Sequence, residues 1–348
     1  MCPHARRNGP TGHPNRLFYT TRPPRVHSRR VHSTIWRLAF EHGSVILVLD
    51  WPGDVAGPMS YGINVGWNTK GSTDVQELAT GMVWQDRLER LNSEVEEIHL
   101  PDAVDGVDQD EEWCEIVVKG EKLRIRFHDY SDIFRIRGLY EELFYDHLQC
   151  CSPSYIANLL ESVVREYGER PGEFRVLVVG AGNGMVGDEL QALGVQSIVG
   201  IDIIPVAKEA ANRDRPDVYD DYIVADLTDL PEVEEEKLRR TDANCLTTVA
   251  ALGFGDIPPL AFAKALHLIA TPGWLAFNLK ESFLCEQDES GFSRLIRMLN
   301  RDGYIQTMCC RRYQHRISIT GEPLFYVAVI ARKLKNPDCD LLESLQDG

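Results

Sequence analysis

The second half of the chain alternates short apolar runs with amphipathic stretches. The apolar runs are four to six residues long and end at turn or polar residues, so we predict strands over 175–179, 197–201, 222–225, 245–249 and 274–279. The stretches between them repeat apolar residues at helical spacing, and we predict helices starting near Val186, Pro205, Pro258 and Phe292. Repeated strand–helix units predict an α/β fold with a doubly wound, mostly parallel sheet and right-handed crossovers.

The last two apolar runs follow a different pattern. Residues 304–312 and 324–332 are separated by about eleven residues without helical periodicity. A parallel crossover needs a dozen or more residues, usually a helix. We therefore predict an antiparallel hairpin that closes the sheet.

Two kinds of pattern precede the strand–helix units. Residues 114–127 alternate apolar and polar positions on both sides of Lys119-Gly120, which predicts a β-hairpin that decorates or covers the main domain. A helix is predicted around 83–95, followed by an acidic linker. From Leu139 the pattern is helical, and Ser152-Pro153 is typical of the start of a second helix. We assign 59–137 to an accessory segment, 138–334 to the main domain and 335–348 to a tail.

Residues 1–58 differ from the rest in composition. They are rich in Pro, Arg and His and contain eight arginines, no lysine and three acids, a net charge of +5. Three interpretations are open: a disordered extension, or upstream sequence joined to a true start at Met59; a mitochondrial presequence; or a basic arm that binds nucleic acid. Prolines at five positions before residue 25 count against the amphipathic helix that a presequence needs.

Charge and cysteine content restrict the partners. The whole chain carries −16, which leaves about −21 for residues 59–348, and a body this acidic repels a phosphate backbone. We therefore expect no nucleic-acid partner, and no apolar run approaches the roughly 20 residues of a membrane span.

Nine cysteines without a C-x-x-C spacing indicate reduced thiols and no metal site. A cytoplasmic protein is expected, with a mitochondrial one as the alternative.

Four glycines follow the first strand of the main domain within eight positions: Gly180, Gly182, Gly184 and Gly187. A glycine loop between a strand and its helix lies at the carboxyl edge of the sheet, where ligands bind in open α/β folds. Asp202 ends the next predicted strand and is placed to accept hydrogen bonds from both hydroxyls of a ribose. The loop and this acid together indicate a cofactor that contains a nucleoside.

The register of the glycines separates two cofactor classes. The dinucleotide pattern G-x-G-x-x-G begins two residues late if Gly182 is its first glycine, and it meets Met185 at its third position if it begins at Gly180. The pattern G-x-G-x-G of Gly180, Gly182 and Gly184 begins directly after the strand. It resembles motif I of the class I S-adenosylmethionine-dependent methyltransferases, which leaves Gly187 as a helix-packing residue.

Further segments resemble the same family. "IVGIDIIPVAKEAA", "IVADLTDLP", "CLTTVAALGFGDIPP" and "ATPGWLAFNLKE" are similar to its later motifs, and the closing hairpin is what this family adds to the sheet. The resemblance covers about 139–333 and implies a Rossmann-like methyltransferase sheet with S-adenosyl-L-methionine as cofactor. It further implies that Asp202 binds the ribose, Ile203 lies beside the adenine, Asp226 accepts from the adenine amino group and Leu227 offers a backbone amide. The implied loop residues are Gly180, Ala181, Gly182, Asn183 and Gly184.

One position departs from the family. An acid commonly stands two residues before the first glycine and organises the loop at the methionine end of the cofactor, and here that position is Val178. We expect a backbone group or a neighbouring polar residue such as Asn183 to take its place. "CLTTVAALGFGDIPP" resembles the segment whose loop faces the substrate.

Methyl transfer to a small-molecule acceptor is the function that the resemblance implies. The segments "LFYDHL" and "SPSYIANLL" resemble small-molecule-type members, including those of the Williams–Beuren region kind. An oxygen or nitrogen acceptor can need a general base, and Tyr145, Asp146 and His147 are candidates because they precede the core where this family folds a segment over the cofactor. Two alternatives are an NAD(P)-dependent oxidoreductase and a non-catalytic cofactor-binding or scaffold protein.

Overall fold

The computed structural model describes residues 91–101, 109–285 and 288–345, together with the backbone of two strands near the N-terminus. The strands in the described part are β1 (Ile35–Glu41), β2 (Ser44–Asp50), β3 (Val95–His99), β4 (Trp113–Val118), β5 (Glu121–Arg126), β6 (Arg175–Val179), β7 (Ser197–Asp202), β8 (Asp221–Val224), β9 (Cys245–Thr248), β10 (Gly273–Lys280), β11 (Ile305–Ile317) and β12 (Pro323–Lys333).

The helices in the same part are α1 (Tyr130–Arg135), α2 (Leu139–Glu141), α3 (Ser152–Glu166), α4 (Met185–Ala192), α5 (Pro205–Asp214), α6 (Glu232–Arg240), α7 (Pro259–Leu268), α8 (Phe292–Arg301) and α9 (Cys339–Glu343). Helix α2 continues into a π-helical turn, Glu142–His147. None of the described helices is long and apolar enough to cross a membrane.

A seven-stranded sheet forms the centre of the molecule, in the order β11-β12-β10-β9-β6-β7-β8. Strands β6 to β10 are parallel, and β12 lies antiparallel between β10 and β11. The chain runs outward from β6 to β8 and then returns to place β9 on the other side of β6. The strand order therefore reverses between β6 and β9, which is where ligands bind in such sheets. The predicted fold class and closing hairpin are confirmed.

The buried strands are apolar along their whole length because helices cover both faces of the sheet. Successive side chains of a strand point to opposite faces. Accordingly, Leu177 and Val179 lie in one core cluster with α7 and α8, and Val176 and Val178 lie in another with α3, α4 and α5. This two-sided burial fixes the register of β6 and hence the position of the loop that follows it.

A second, three-stranded antiparallel sheet is formed by β3, β4 and β5. The predicted hairpin is confirmed: β4 and β5 pair around a turn in which Lys119 and Gly120 both have positive φ, at 52° and 76°. Such a turn matches the twist of the flanking strands. Glu112 attaches this sheet to the main domain, because its buried carboxylate pairs with Arg316 and accepts a hydrogen bond from the backbone N–H of Ile319 at 2.9 Å.

The structure differs from the sequence prediction at two places before the main domain. The predicted helix over 83–95 is wrong at its end, since Val95 begins β3; residues 83–90 lie outside the described residues. The helix α1 was not predicted, because a six-residue helix offers too few turns for a periodic signal. Within the basic segment 1–58, β1 and β2 pair as an antiparallel hairpin. The remainder of that segment lies outside the described residues, so its interpretation stays a prediction.

Candidate functional site

A cavity of about 340 Å³, here called the first cavity, lies at the carboxyl ends of β6, β7, β8 and β9. Its floor includes Val179 and Gly180 after β6, Asp202 at the end of β7 and Asp226 after β8. The walls of the first cavity are largely apolar. The complete lining consists of Tyr130, Phe134, Tyr140, Val179, Gly180, Gly182, Ile201, Asp202, Ile203, Ile204, Ala225, Asp226, Leu227, Thr228, Val249, Ala250, Ala251, Gly255, Asp256, Ile257, Pro258 and Ala261.

The glycine loop connects β6 to α4 and needs residues without a side chain. Gly180, Gly182 and Gly184 have φ values of 67°, 53° and 95°, a region that glycine enters without steric cost. A Cβ atom on Gly180 would stand 2.8 Å from that of Ala251 across the loop. Gly187 lies within α4, where a Cβ atom would overlap Val218 at 2.5 Å, so its predicted role in helix packing is confirmed.

Asp202 connects the glycine loop to the next strand. One carboxylate oxygen accepts a hydrogen bond from the backbone N–H of Gly182 at 2.8 Å, and the other accepts from Ile204 at 2.9 Å. Burial raises the pKa of the Asp202 carboxyl, the backbone amides oppose this effect, and the nearby Asp256 adds to it. Each oxygen keeps a further lone pair, so the carboxylate can also accept from a hydroxyl pair in the first cavity.

The residues with predicted adenine contacts line the same cavity. Ile203 exposes 56% of its surface, which suits an apolar residue that a planar base would cover. Asp226 is exposed and also caps the turn after β8, since one of its oxygens accepts from the backbone N–H and the hydroxyl of Thr228, both at 2.7 Å. Leu227 is buried beside it. Their roles toward an adenine stay predictions.

A buried ion pair that does not line the first cavity contacts the glycine loop at Asn183. Glu141 of α2 accepts hydrogen bonds from the side chain of Asn183 at 2.7 Å and from Arg215 at 2.7 Å. Arg215 in turn donates to the backbone carbonyl of Asn183 at 3.1 Å. Asn183 is buried and does not line the first cavity, and Val178 is fully buried in the core. Glu141 thus contacts the loop as a second acid besides Asp202, and no motif in the sequence singled it out.

The three candidate bases from the sequence lie at the end of the π-helical turn, and none of them lines a cavity described here. Tyr145 is buried, and burial raises the pKa of its phenol well above the ordinary value. Asp146 is exposed, while His147 directs Nδ1 to the backbone carbonyl of Glu142 at 3.0 Å. Their proposed role as bases stays a prediction without a geometric argument in its favour.

A second, smaller cavity adjoins the first. It measures about 30 Å³ and shares Tyr130, Tyr140, Ala250, Ala251 and Asp256 with the first cavity. Its other residues are Gln109, Phe127, His128, Phe144, Cys150, Leu252, Phe254, His315, Arg316 and Tyr326. Most of this lining consists of aromatic rings, and His128 and Asp256 contact each other within it at 3.3 Å.

The loop after β9 separates the two cavities and is held in an unusual conformation. Ala250 and Phe254 both have φ of 54°, a region that residues with a side chain rarely adopt. The buried side chain of Asn278 accepts a hydrogen bond from the backbone N–H of Ala250 at 2.7 Å and donates to the hydroxyl of Tyr313 at 2.7 Å. The surrounding structure thus fixes the backbone that carries Asp256 to the cavities.

Comparisons with known proteins give distant structural likenesses. No family model matches the chain, and no curated protein matches it. Among solved structures, the N-methyltransferase NodS from Bradyrhizobium japonicum with S-adenosyl-L-homocysteine is 15% identical, with a TM-score of 0.38 over 51% of this chain and 86% of that one. The magnesium protoporphyrin IX methyltransferase ChlM from Synechocystis is 14% identical, with a TM-score of 0.36 over 52% and 83%.

A third likeness is similar in extent. The S-adenosylmethionine-dependent methyltransferase from Mesorhizobium loti is 14% identical, with a TM-score of 0.36 over 49% of this chain and 96% of that one. The strand order of the seven-stranded sheet defines the fold independently of these likenesses. A mostly parallel α/β sheet whose strand order reverses between β6 and β9, with β12 inserted antiparallel beside β10, agrees with the fold class predicted from the sequence.

Proposed function

We propose that this protein binds S-adenosyl-L-methionine in the first cavity and transfers its methyl group to a small-molecule acceptor. The observation that carries the proposal is the placement of Asp202: its carboxylate lies in the first cavity and accepts from the backbone of the glycine loop. The glycine loop and Asp202 are thus hydrogen-bonded to each other at the point where the strand order reverses.

The described residues fit an adenosine-containing cofactor. Asp202 offers lone pairs for two ribose hydroxyls, and Ile203 and Leu227 offer apolar surface for the base. A volume of about 340 Å³ falls within the range of ligand sites, roughly 300–1,000 Å³. Asp256 lines the cavity as well, and a carboxylate favours the cationic methionine end of this cofactor.

The chain's own residues would bind, align and shield the reactants. When bound, the cofactor supplies a methyl group that its sulfonium already makes electrophilic. The protein then has to hold the acceptor in line with that methyl group and to exclude water, which enclosed cavities with aromatic walls favour. The strongly negative net charge of −16 opposes polyanionic acceptors, which supports a small acceptor.

Calorimetric titration with S-adenosyl-L-homocysteine, the demethylated product, tests the proposal. We expect binding by the wild-type protein and a loss of at least about 100-fold in affinity for Asp202→Asn, because hydrogen bonds to charged groups contribute about 1.5–3 kcal/mol each. Asp229→Asn is the matched control, since Asp229 is exposed in the turn after β8 and does not line the first cavity. Thermal unfolding of each variant confirms that it is folded.

Three outcomes separate the alternatives. If the wild-type protein does not bind the product, or if Asp202→Asn binds it equally well, the cofactor assignment is wrong. Protection against heat by NAD(H) and not by S-adenosyl-L-methionine would favour an oxidoreductase. Tight binding of the product without methyl transfer to a broad acceptor panel would favour a non-catalytic binding protein.

A further inference from the structure

His128 and Asp256 form an acid–imidazole pair where the two cavities meet. Nδ1 of His128 lies 3.3 Å from Oδ2 of Asp256, and their side chains are 15% and 30% exposed. His128 lines the second cavity, whereas Asp256 lines both. A carboxylate that accepts from Nδ1–H fixes the imidazole tautomer in which Nε2 is the proton acceptor. No hydrogen bond to Nε2 of His128 is present among the residues that the structure describes.

The other titratable groups of the second cavity are poor bases near neutral pH. Burial raises the pKa values of the phenols Tyr130, Tyr140 and Tyr326, so they stay protonated. Burial likewise raises the pKa of the Cys150 thiol, so this group also stays protonated.

The other imidazole and the cationic side chains in or near the second cavity already have interaction partners. Nδ1 of His315 lies 2.6 Å from the hydroxyl of Ser152, and burial lowers the pKa of this imidazole. Arg316 is paired with Glu112, and the ammonium of Lys280 lies 5.0 Å from the centroid of the Phe254 ring. The pair of His128 and Asp256 is thus the base that this cavity offers within the described part of the chain.

The lining of the second cavity restricts what can enter it. A volume of about 30 Å³ holds one or two water-sized groups, so the accepting group enters and the remainder of the acceptor stays outside. The imidazole of His128 is itself flanked by the rings of Phe254 and Tyr130, with centroids 5.1 Å and 5.7 Å away. Aromatic surroundings of this kind favour a planar ring next to the accepting group.

A base is needed most by an acceptor that attacks poorly while protonated. A neutral amine attacks through its own lone pair, whereas a hydroxyl gains most of its nucleophilicity on losing its proton. We propose, resting on the methyltransferase function above, that the acceptor is an aromatic hydroxyl and that His128, oriented by Asp256, takes its proton.

In this reaction the acceptor hydroxyl gives its proton to Nε2 of His128. The acceptor oxygen forms the new bond to the methyl carbon, and the electron pair of the broken carbon–sulfur bond stays on the sulfur. Asp256 stabilises the imidazolium that results, and no oxidant or further reactant is needed.

The test uses 4-nitrophenol, whose phenolate absorbs visible light and whose neutral form does not. It is added to the full-length protein with S-adenosyl-L-homocysteine bound, at a pH below that at which free 4-nitrophenol ionises. We expect the wild-type protein to bind the probe as the coloured phenolate, and His128→Gln to reduce the bound phenolate at least tenfold. Asp256→Asn should also reduce the bound phenolate, because the imidazolium of His128 then lacks the carboxylate that stabilises it.

A second histidine–carboxylate pair provides the matched control. Nε2 of His99 lies 2.8 Å from Glu97 on the exposed surface, so His99→Gln should leave the colour unchanged. Methyl transfer to 4-nitrophenol should fall about 10²–10⁴-fold in His128→Gln, while the KM for the methyl donor changes little.

Calorimetry with S-adenosyl-L-homocysteine separates this proposal from the one on which it rests. If His128→Gln and His99→Gln bind the product as tightly as the wild-type protein, the cofactor site is intact in both variants and the phenolate signal tests His128. Absence of bound probe, bound probe without colour, or equal colour in His128→Gln would then overturn the inference and leave the cofactor assignment standing. Failure of the wild-type protein to bind the product would overturn both.

Discussion

Replacing Glu141 by glutamine should destabilise the protein strongly, although the change is nearly isosteric. Glu141 and Arg215 are 1% and 6% exposed and lie 2.7 Å apart. Burial alone disfavours the charged guanidinium, yet Glu141 outweighs it and raises the pKa of Arg215 above its ordinary value, with a smaller contribution from Asp188. Glu141→Gln therefore leaves a charge buried with much less compensation.

The expected loss in the free energy of unfolding of Glu141→Gln follows from two opposing effects. Two unit charges 2.7 Å apart attract each other by about 6 kcal/mol at an effective dielectric constant near 20. Glutamine retains a neutral hydrogen bond of about 1 kcal/mol, and removing the carboxylate also removes the cost of burying its own charge. We expect a loss of about 3 kcal/mol in the free energy of unfolding, at the lower end of the 3–5 kcal/mol typical of broken buried pairs.

Urea unfolding measures this loss through the midpoint at constant m-value. Glu161→Gln is the control, because Glu161 pairs with Arg165 on the surface of α3 at the same distance of 2.7 Å and should contribute less than about 0.5 kcal/mol. A double variant, Glu141→Gln with Arg215→Met, should recover part of the lost stability, since glutamine keeps an acceptor for Asn183 and no guanidinium is left buried without its partner charge. A loss below about 1 kcal/mol for Glu141→Gln would show that this pair does not support the loop.

Two further predictions concern stability. Gly187→Ala should destabilise the protein by about 1–2 kcal/mol in urea unfolding, because its Cβ would overlap Val218 at 2.5 Å and overpacking exceeds the gain in helix propensity; unchanged or increased stability would refute this. Burial lowers the pKa of His315 well below 6.5, so below that pH the unfolded state binds a proton that the folded state excludes. Wild-type stability should therefore fall, relative to His315→Gln, by up to about 1.4 kcal/mol per pH unit from about pH 6.5 downward, and parallel pH dependences of the two proteins would contradict this reasoning.

The sequence predicted those parts of the molecule whose signals are local. Short-range periodicity and glycine positions predicted the strands β6 to β12 with their closing hairpin, the helices α4, α5, α7 and α8, and the turn at Lys119-Gly120. The helix predicted over 83–95 was wrong at Val95, which begins a strand of the accessory sheet. Short apolar runs fit both periods, and tertiary pairing decides between them.

The sequence also determined one half of the candidate site. The glycine loop and Asp202 lie at the ends of adjacent strands, so their meeting, with a hydrogen bond from Gly182 to Asp202 at 2.8 Å, follows from the strand order. Tertiary structure alone decided the other half. Glu141 meets Asn183 across 42 positions and His128 meets Asp256 across 128, and both contacts join the segments before β6 to the sheet. No periodicity spans such separations, because these side chains become neighbours when the core and the accessory sheet pack together.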